Sequence, residues 1–192
     1  MNKNIFIHDD NFLSDLEIKE AYNTTALDTR WQFREELGSN DGGYAGVYGG
    51  NYADYPFFVS SGENIDALCL KIINKFLKKY NLELEKTLRM RTNLSTRQIN
   101  KNTSRPHLDS MEEDHYVFIY YVNDSDGSTI IYNEFSDGKF FTNKDITIFK
   151  EFEPKAGTGI LFPGRQFHSW SAPIKNNHRI ILNMNIILKD LG

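Results

Sequence analysis

The chain has 192 residues, of which 40% are hydrophobic and 25% charged, so it can bury the core of one globular domain over positions 1–192 and lacks the composition of a disordered protein. Its net charge of −4, without a long lysine or arginine stripe, disfavours binding to the backbone of a nucleic acid. No apolar run approaches the ~20 residues of a membrane span, and no signal-peptide core precedes the first helix, so we expect a soluble, cytoplasmic protein.

Two helices are predicted in the first part of the chain. Ser14 and Glu17 match a capping box, which predicts a helix that continues to about Tyr22. A second helix is predicted from about Gly62 to Tyr80, where apolar residues recur at helical spacing. The single cysteine, Cys69, lies in this apolar pattern and is expected to be a buried structural thiol; it excludes an intrachain disulfide framework and all-cysteine zinc sites.

The segment Gly38–Tyr55 between these helices has an unusual composition, with six glycines and four tyrosines. An ordinary surface loop is the simplest interpretation. Glycine permits motion and tyrosine offers binding contacts, and loops of this length are often active-site lids. We therefore predict a mobile lid that orders on substrate binding, with Tyr44 and Tyr48 as candidate substrate contacts.

Strand signals dominate from about Leu84 onward, with turn residues between them. The candidate strands, with one near the N-terminus, are Asn4–His8, Thr87–Thr96, His115–Val122, Thr129–Glu134, Ile146–Phe152, Gly159–Phe162, Phe167–Ser171 and Arg179–Leu188. Many short strands at this spacing are typical of a sandwich or barrel. The sequence thus predicts a mainly β protein, with helical support over about 12–80 packed outside an antiparallel barrel or jelly roll over about 84–188.

Two segments in this β-rich part of the chain contain residues that suit a metal site. His107 and Asp109 are two residues apart, so on an extended backbone both side chains face one side. His168 follows a buried strand and a Pro-Gly turn, and it can supply a third ligand from a separate strand. Two histidines and one carboxylate bind one face of an octahedral metal and leave open positions for substrates. The remaining histidines, predicted to be structural or solvent-exposed, are His8, His115 and His178.

The last apolar strand begins with Arg179, whose charge needs a partner if it faces the barrel interior. A planar guanidinium suits bidentate binding of a carboxylate, so a dicarboxylate such as 2-oxoglutarate could span the metal and Arg179. Strand alternation would then place Ile181, Asn183 and Asn185 on the same interior face. The asparagines would line the pocket near the metal, and Ile181 would pack beside the dicarboxylate. The alternative is a hairpin strand with exposed asparagines.

Four segments occur in the order found in one known family. They are His107-Leu108-Asp109, Ile119 through Asn123, Gly159 through His168, and Arg179. With these segments the chain resembles the 2-oxoglutarate/Fe(II) oxygenases, specifically their prolyl-hydroxylase-like branch, over roughly Arg89 to Leu188. The resemblance implies a double-stranded β-helix, the jelly roll that cupins share.

The same resemblance implies roles and co-substrates. His107, Asp109 and His168 would hold Fe(II), with no further catalytic residue, and Tyr121 and Arg179 would bind the distal carboxylate of 2-oxoglutarate. O2 would be the second co-substrate, with ascorbate as a candidate reductant. The implied reaction couples oxidative decarboxylation of 2-oxoglutarate, to succinate and CO2, to hydroxylation of an unactivated C–H bond.

The chain departs from the family pattern in two places. Arg179 lies eleven residues after His168, where the family often has nine or ten, and the loop Lys175–His178 can absorb the extra residue. A residue that contacts 2-oxoglutarate upstream of the first histidine, often a tyrosine, has no obvious counterpart among Asn93–Ile99.

The substrate is predicted from the branch resemblance alone. A prolyl residue in a peptide or protein is favoured, and a free amino acid or another small metabolite is the main alternative. Arg165 and Trp170 flank His168 and are candidate substrate contacts, although Arg165 equally suits a rim ion pair and Trp170 a core position.

Two other functions are less favoured. A catalytically silent cupin-like metal protein need not keep Tyr121 and Arg179, so their presence argues against it. A metal-dependent hydrolase needs a general base beside the metal, and arginine is poor in that role. The sequence does not define the oligomeric state.

Overall fold

The computed structural model describes residues 5–27, 29–34, 44–45, 47–48, 57–137 and 141–190. It contains the two predicted helices, α1 (Asp15–Tyr22) and α2 (Glu63–Lys79). The predicted capping box is present, because the Glu17 carboxylate accepts hydrogen bonds from the backbone N–H and the hydroxyl of Ser14. A π-helical turn, Asn23–Leu27, continues the chain beyond the predicted end of α1.

Most of the other described elements are strands. They are β1 (Ile7–Asp9), β2 (Gln32–Arg34), β3 (Tyr44–Ala45), β4 (Val47–Tyr48), β5 (Phe57–Ser60), β6 (Leu84–Thr96), β7 (His107–Leu108), β8 (His115–Tyr121), β9 (Thr129–Phe135), β10 (Phe141–Thr142), β11 (Ile148–Phe152), β12 (Gly159–Pro163), β13 (Gln166–Trp170) and β14 (His178–Leu188).

Two antiparallel sheets form the body of the fold. The larger has the strand order β1-β12-β8-β14-β6-β5-β2, and the smaller has the order β11-β9-β13-β7-β3. The short strands β4 and β10 pair in parallel. Strands that are distant in the chain are neighbours in both sheets, as in a jelly roll. The prediction of a mainly β fold with helices outside is therefore confirmed.

Two apolar layers fix which side of β14 faces the site. The layer between the larger sheet and the helices includes Ile180, Leu182, Met184 and Ile186 together with Ile72 and Phe76. The layer between the two sheets includes Val117, Ile119, Tyr121 and Ile181 from the larger sheet and Ile131 and Phe152 from the smaller. Alternation along β14 thus places Arg179, Ile181, Asn183 and Asn185 on the inner face, and all four are buried.

Some boundaries differ from the sequence-based expectation. β6 begins at Leu84 rather than Thr87, because it pairs with β14 along almost its whole length. The short strands β2 and β5 extend the same sheet beyond β6 and were not predicted, since strands of three or four residues carry little periodicity. Cys69 is buried, as expected. No helix within the described ranges is long and apolar enough to cross a membrane.

Candidate metal centre and ligand pocket

The smaller sheet brings the three predicted metal ligands together. His107 lies on β7 and His168 on β13, and the two residues pair directly across these strands. Asp109 comes two residues after His107, so its side chain can return to the same side. All three residues are buried, and their candidate ligand atoms lie within 4.8 Å of one another. Within the described part of the chain they form a cluster that could hold a metal ion.

The ring nitrogens of both histidines are oriented for metal binding. Nδ1 of His107 lies 2.8 Å from the carbonyl oxygen of Arg105, which favours the tautomer in which Nδ1 donates and Nε2 keeps its lone pair. Nε2 of His107 is 3.8 Å from Oδ1 of Asp109, and Nε2 of His168 is 3.7 Å from Oδ2. Nε2 of His168 is buried without a hydrogen-bond partner. A metal ion between these atoms would satisfy that nitrogen.

The protonation states of the cluster also suit a divalent cation. Burial, with the His168 imidazole, lowers the pKa of His107 to about 4 against the opposing effect of Asp109. Burial opposes ionisation of Asp109, but the Arg89 guanidinium and the His168 imidazole outweigh it and hold the pKa of this carboxyl well below its usual range. At neutral pH the cluster therefore offers the lone pair of His107 and an ionised carboxylate.

Three further side chains contact the Asp109 carboxylate. Nη2 of Arg89, on β6, forms an ion pair with Oδ1 at 2.7 Å. Nδ2 of Asn183 donates to Oδ2 at 3.0 Å, and Nδ2 of Asn185 reaches the same oxygen at 3.4 Å. Both asparagines therefore lie beside Asp109, and the contact of Arg89 with the same carboxylate was not predicted from the sequence.

Arg179 lies deep in the same pocket. Its side chain is only 3% exposed, and Nη2 donates to the Thr129 hydroxyl at 2.6 Å. Nε has no hydrogen-bond partner, and no acidic side chain in the described ranges forms an ion pair with this guanidinium. Burial lowers the pKa of Arg179 to about 10, so it remains charged at neutral pH. A buried guanidinium of this kind is suited to bind an anionic group.

Tyr121 lies beside this arginine. Its ring is 5.9 Å from the Arg179 guanidinium carbon. Burial raises the pKa of Tyr121 to about 12, although Arg179 opposes this shift. The phenol is therefore protonated at neutral pH and can donate to a carboxylate held by Arg179.

A single pocket extends from the candidate metal ligands His107, Asp109 and His168 to Arg179. The residues that line it are Phe57, Arg91, Asn93, Leu94, Ser95, His107, Asp109, Ile119, Thr129, His168, Ser169, Trp170, Arg179, Ile181 and Asn183. Ile181 and Trp170 thus both line this pocket, and their predicted ligand contacts stay predictions. The Trp170 ring meets the Phe57 ring edge-on, with centroids 6.1 Å apart, and the two aromatic rings form one wall of the pocket.

Three predicted substrate contacts are not among the described residues that line this pocket: Arg165, Tyr44 and Tyr48. Arg165 does not line it, because Nε and Nη2 of its guanidinium donate to the Ser136 carbonyl at 3.2 and 2.7 Å. The described position of Arg165 thus gives no support to its candidate substrate role. The side chains of Tyr44 and Tyr48, and most of the predicted lid Gly38–Tyr55, lie outside the described residues. The backbone of Tyr44–Ala45 pairs with His107–Leu108, so this part of the segment adjoins the metal-ligand strand.

The residues that sequence reasoning missed lie mainly on β6. Its inner face presents Arg89, Arg91, Asn93 and Ser95, which register with Asn185, Asn183, Ile181 and Arg179 of β14 respectively. Polar residues at every second position were visible in the sequence, with apolar Met90 and Leu94 between them. That alternation predicts a polar inner face, but it does not identify the strand that lies opposite.

Comparison with known proteins supports the fold assignment. No protein-family model matches the sequence, and no curated protein is significantly similar to it. An oxidoreductase of the 2OG-Fe(II) oxygenase family from Burkholderia pseudomallei superposes with a TM-score of 0.62 at 12% identity, over 95% of this chain and 84% of that one. The non-heme alpha-ketoglutarate-dependent epimerase SnoN from nogalamycin biosynthesis gives a TM-score of 0.63 at 13% identity, over 96% and 78%.

A prolyl-4-hydroxylase from Pseudomonas putida gives a TM-score of 0.55 at 14% identity, over 97% of this chain and 94% of that one. At such identities these likenesses establish the fold, which is the double-stranded β-helix of the 2OG-Fe(II) oxygenases. The resemblance drawn from the sequence is thus confirmed at the level of the fold.

Proposed function

We propose that this chain is an Fe(II)- and 2-oxoglutarate-dependent oxygenase that hydroxylates an unactivated C–H bond. The observation that carries the proposal is a single pocket lined by His107, Asp109 and His168 and also by the buried Arg179. A site for a single metal ion is by itself compatible with many functions. A buried guanidinium without an acidic partner among the described residues supports the binding of an anionic ligand in the same pocket.

The metal would be held by Nε2 of His107, Nε2 of His168 and a carboxylate oxygen of Asp109. These ligands occupy one face of an octahedron and leave room for co-substrates. The partnerless Nε2 of His168 supports the fit. When bound, Fe(II) supplies the redox chemistry by which O2 and 2-oxoglutarate are consumed. The contribution of the chain is a fixed ligand geometry, which follows from the direct pairing of His107 with His168.

The distal carboxylate of 2-oxoglutarate would bind to Arg179. The guanidinium can donate two parallel hydrogen bonds to a carboxylate, and the Thr129 hydroxyl holds it in place. Tyr121 would donate its phenolic proton to the same carboxylate. The hydroxyl of Ser95, directly opposite Arg179 in the sheet, is buried without a partner and supports a polar ligand at this end. Ile181 would pack against the methylene groups between the two ends.

As the substrate of this oxygenase, we propose a prolyl residue in a peptide or protein. The wall formed by Phe57 and Trp170 supports it, because aromatic-lined grooves suit proline-rich segments. The similarity in fold to a prolyl-4-hydroxylase points in the same direction, whereas that to SnoN points to a small molecule. A free amino acid or another small metabolite is therefore the second candidate.

A catalytically silent metal-binding protein is the main rival outside the enzymes. It has no need for the buried pair of Arg179 and Thr129, and that pair therefore favours an oxygenase. A metal-dependent hydrolase would need a general base beside the metal. Among the described residues, the charged groups beside Asp109 and at the far end of the pocket are Arg89 and Arg179. Arginine stays protonated and is a poor general base, so the hydrolase is less well supported.

The proposal is tested by anaerobic titration of the protein with Fe(II) and 2-oxoglutarate, followed by an O2-dependent succinate assay with peptide and amino-acid panels. We expect metal-dependent binding of 2-oxoglutarate and succinate formation that a prolyl peptide stimulates. Metal binding without any 2-oxoglutarate binding would support the silent metal protein instead. Stimulation by amino acids but by no peptide would keep the oxygenase and replace the proposed substrate.

A further inference from the structure

Side chains of the protein contact both oxygens of the Asp109 carboxylate. Oδ1 is in an ion pair with Arg89 Nη2 at 2.7 Å, and Oδ2 accepts from Asn183 at 3.0 Å and from Asn185 at 3.4 Å. Arg89 and Asn185 lie directly opposite each other on β6 and β14. The carboxylate is therefore held from the larger sheet by one charged group and two neutral groups.

The charged contact differs in kind from the other two. The side chain of Asp109 is only 3% exposed, and that of Arg89 is 22% exposed. A buried carboxylate without a counter-charge is strongly destabilising, whereas neutral donors compensate it only in part. Among the described residues, Arg89 is the arginine or lysine that forms an ion pair with Asp109. It therefore supplies positive charge at the position where a metal ion would supply it.

We infer that Arg89 is a resident counter-ion of Asp109, which keeps the metal-free site assembled and lowers its affinity for a divalent cation. The inference deepens the proposed function, since it rests on the metal centre formed by His107, Asp109 and His168. Arg89 acts on the metal through Asp109, and in that sense it is a positioning residue rather than a catalytic one.

The sign of the effect follows from the geometry. A metal bound to the carboxylate lies roughly 2.0–2.2 Å from its ligand oxygen, and the guanidinium lies 2.7 Å from Oδ1. The two cations are then close neighbours in a buried site, where like charges repel far more strongly than in water. The same guanidinium removes the penalty of a lone buried carboxylate when the metal is absent. Arg89 thus stabilises the metal-free state more than the metal-bound state.

The experiment measures Mn(II) binding without 2-oxoglutarate or O2, so it does not depend on oxygenase activity. Arg89→Gln keeps a hydrogen-bond donor and removes the charge, and Arg89→Lys keeps the charge. Asn185→Ala is the matched control, because it removes a neutral contact to the same carboxylate. Mn(II) affinity is determined by calorimetric titration, and thermal unfolding is followed for EDTA-treated and Mn(II)-saturated protein.

We expect Arg89→Gln to bind Mn(II) about tenfold more tightly than wild type, which corresponds to about 1.4 kcal/mol. Its metal-free form should unfold at a lower temperature, while its Mn(II)-saturated form changes much less. Arg89→Lys should stay near wild type, and Asn185→Ala should not bind Mn(II) more tightly. A variant that folds only with Mn(II) present would also support the inference.

Equal or weaker Mn(II) binding by Arg89→Gln would overturn the inference and make Arg89 a simple support of the ligand geometry. Loss of folding even with Mn(II) present would also contradict it, because the lost stability should be confined to the metal-free state. These outcomes leave the proposed function intact if wild-type protein binds Mn(II). Failure of the wild-type protein to bind Mn(II) or Fe(II) would remove the metal centre, and this inference with it.

Discussion

Arg179 and Thr129 form a hydrogen-bonded pair inside the pocket, with 2.6 Å between Nη2 of the guanidinium and the threonine hydroxyl. Both side chains are almost completely buried. Thr129 is neutral, so it orients the guanidinium without neutralising it. Since the described residues contain no acidic partner for Arg179, the pair is suited to bind a carboxylate ligand.

Replacing Arg179 should separate 2-oxoglutarate binding from metal binding. Loss of a charged partner from a buried pair costs on the order of 2–5 kcal/mol, so Arg179→Ala should weaken 2-oxoglutarate binding steeply and leave Mn(II) affinity nearly unchanged. Thr129→Val should have a smaller effect on the same ligand, because it removes only the orienting hydroxyl. Calorimetric titration of Mn(II)-loaded protein with 2-oxoglutarate measures both. Equal affinity in Arg179→Ala and wild type would refute the assigned role of Arg179.

Replacing Trp170 should affect the primary substrate rather than 2-oxoglutarate. Its ring packs edge-on against Phe57 on the pocket wall, and truncation of an aromatic residue that anchors a ligand costs about 2 kcal/mol or more. Trp170→Ala should therefore raise the KM of the hydroxylated substrate at least about tenfold, with little change in the 2-oxoglutarate requirement. Arg165→Ala is the control, because its side chain is held by the Ser136 carbonyl outside the pocket. A parallel rise of both requirements in Trp170→Ala would place Trp170 in the 2-oxoglutarate site.

The segment Gly38–Tyr55 remains predicted to be a lid, although most of it lies outside the described residues. Its described parts pair with other strands: Tyr44–Ala45 with His107–Leu108, and Val47–Tyr48 with Phe141–Thr142. Shortening positions 49–55 alone preserves these pairings. We expect this deletion to reduce substrate hydroxylation more than substrate-free turnover of 2-oxoglutarate, since a lid acts on the primary substrate. Succinate release with and without substrate measures the two rates, and an equal loss of both would contradict the lid.

The sequence predicted those parts of the site that lie close together in the chain. His107 and Asp109 share a short segment, and the alternation that begins at Arg179 indicated which residues of β14 face inward. Both patterns depend only on the two-residue period of a strand. The same period, with the resemblance to a known family, was enough to predict the barrel and the cluster of His107, Asp109 and His168.

The contacts of Arg89 and Thr129 could not be predicted in this way. Arg89 reaches Asp109 only because β6 pairs with β14 in one particular register, and Thr129 meets Arg179 across the space between the two sheets. Register between distant strands is determined by the packing of the whole core, which no local pattern specifies. Phe57 was missed for a similar reason, because the short strand β5 carries little periodicity.

Gly164 is predicted to tolerate no side chain, because an added Cβ would overlap the imidazole of His115. His115 is buried and is held by a 2.5 Å contact between Nδ1 and the Glu112 carbonyl oxygen, so it cannot easily move away. Overpacking of this kind typically costs about 1–3 kcal/mol. Gly164→Ala should lower the free energy of unfolding by that amount, as measured by denaturant titration.

A double mutant identifies the cause of this loss. His115→Ala removes the ring that the new Cβ would meet, so the combination of Gly164→Ala with His115→Ala should be less destabilised than the sum of the two single mutants. Strict additivity would mean that the overlap with His115 is not the cause. Since Gly164 lies in the turn between β12 and β13, Gly164→Ala should also weaken Mn(II) binding through displacement of His168.

Asp126 is predicted to stabilise the loop that leads into Arg179, and to do so only when it is ionised. Its carboxylate accepts backbone N–H groups of Ile174 at 3.1 Å, Lys175 at 3.0 Å and Asn176 at 3.0 Å, so the Asp124–Gly127 turn acts as an anchor for this loop. Burial opposes ionisation, but the N–H groups of Asn176, Ile174 and Lys175 together outweigh it and hold the pKa of Asp126 below its usual value.

The pKa of Asp126 is lower in the folded protein than its ordinary value of 3.8. Such a carboxyl makes its full contribution to stability when the pH is above that ordinary value. The contribution is lost as the pH falls through the folded-state pKa. Asp126→Ala should therefore lower the free energy of unfolding at pH 7, by about 1 kcal/mol once solvent screening of this partly exposed group is allowed for. The difference between the mutant and wild type should shrink at pH 3. Urea unfolding of both proteins at the two pH values measures it. A difference that is unchanged or larger at pH 3 would mean that the stabilisation does not come from the ionised carboxylate.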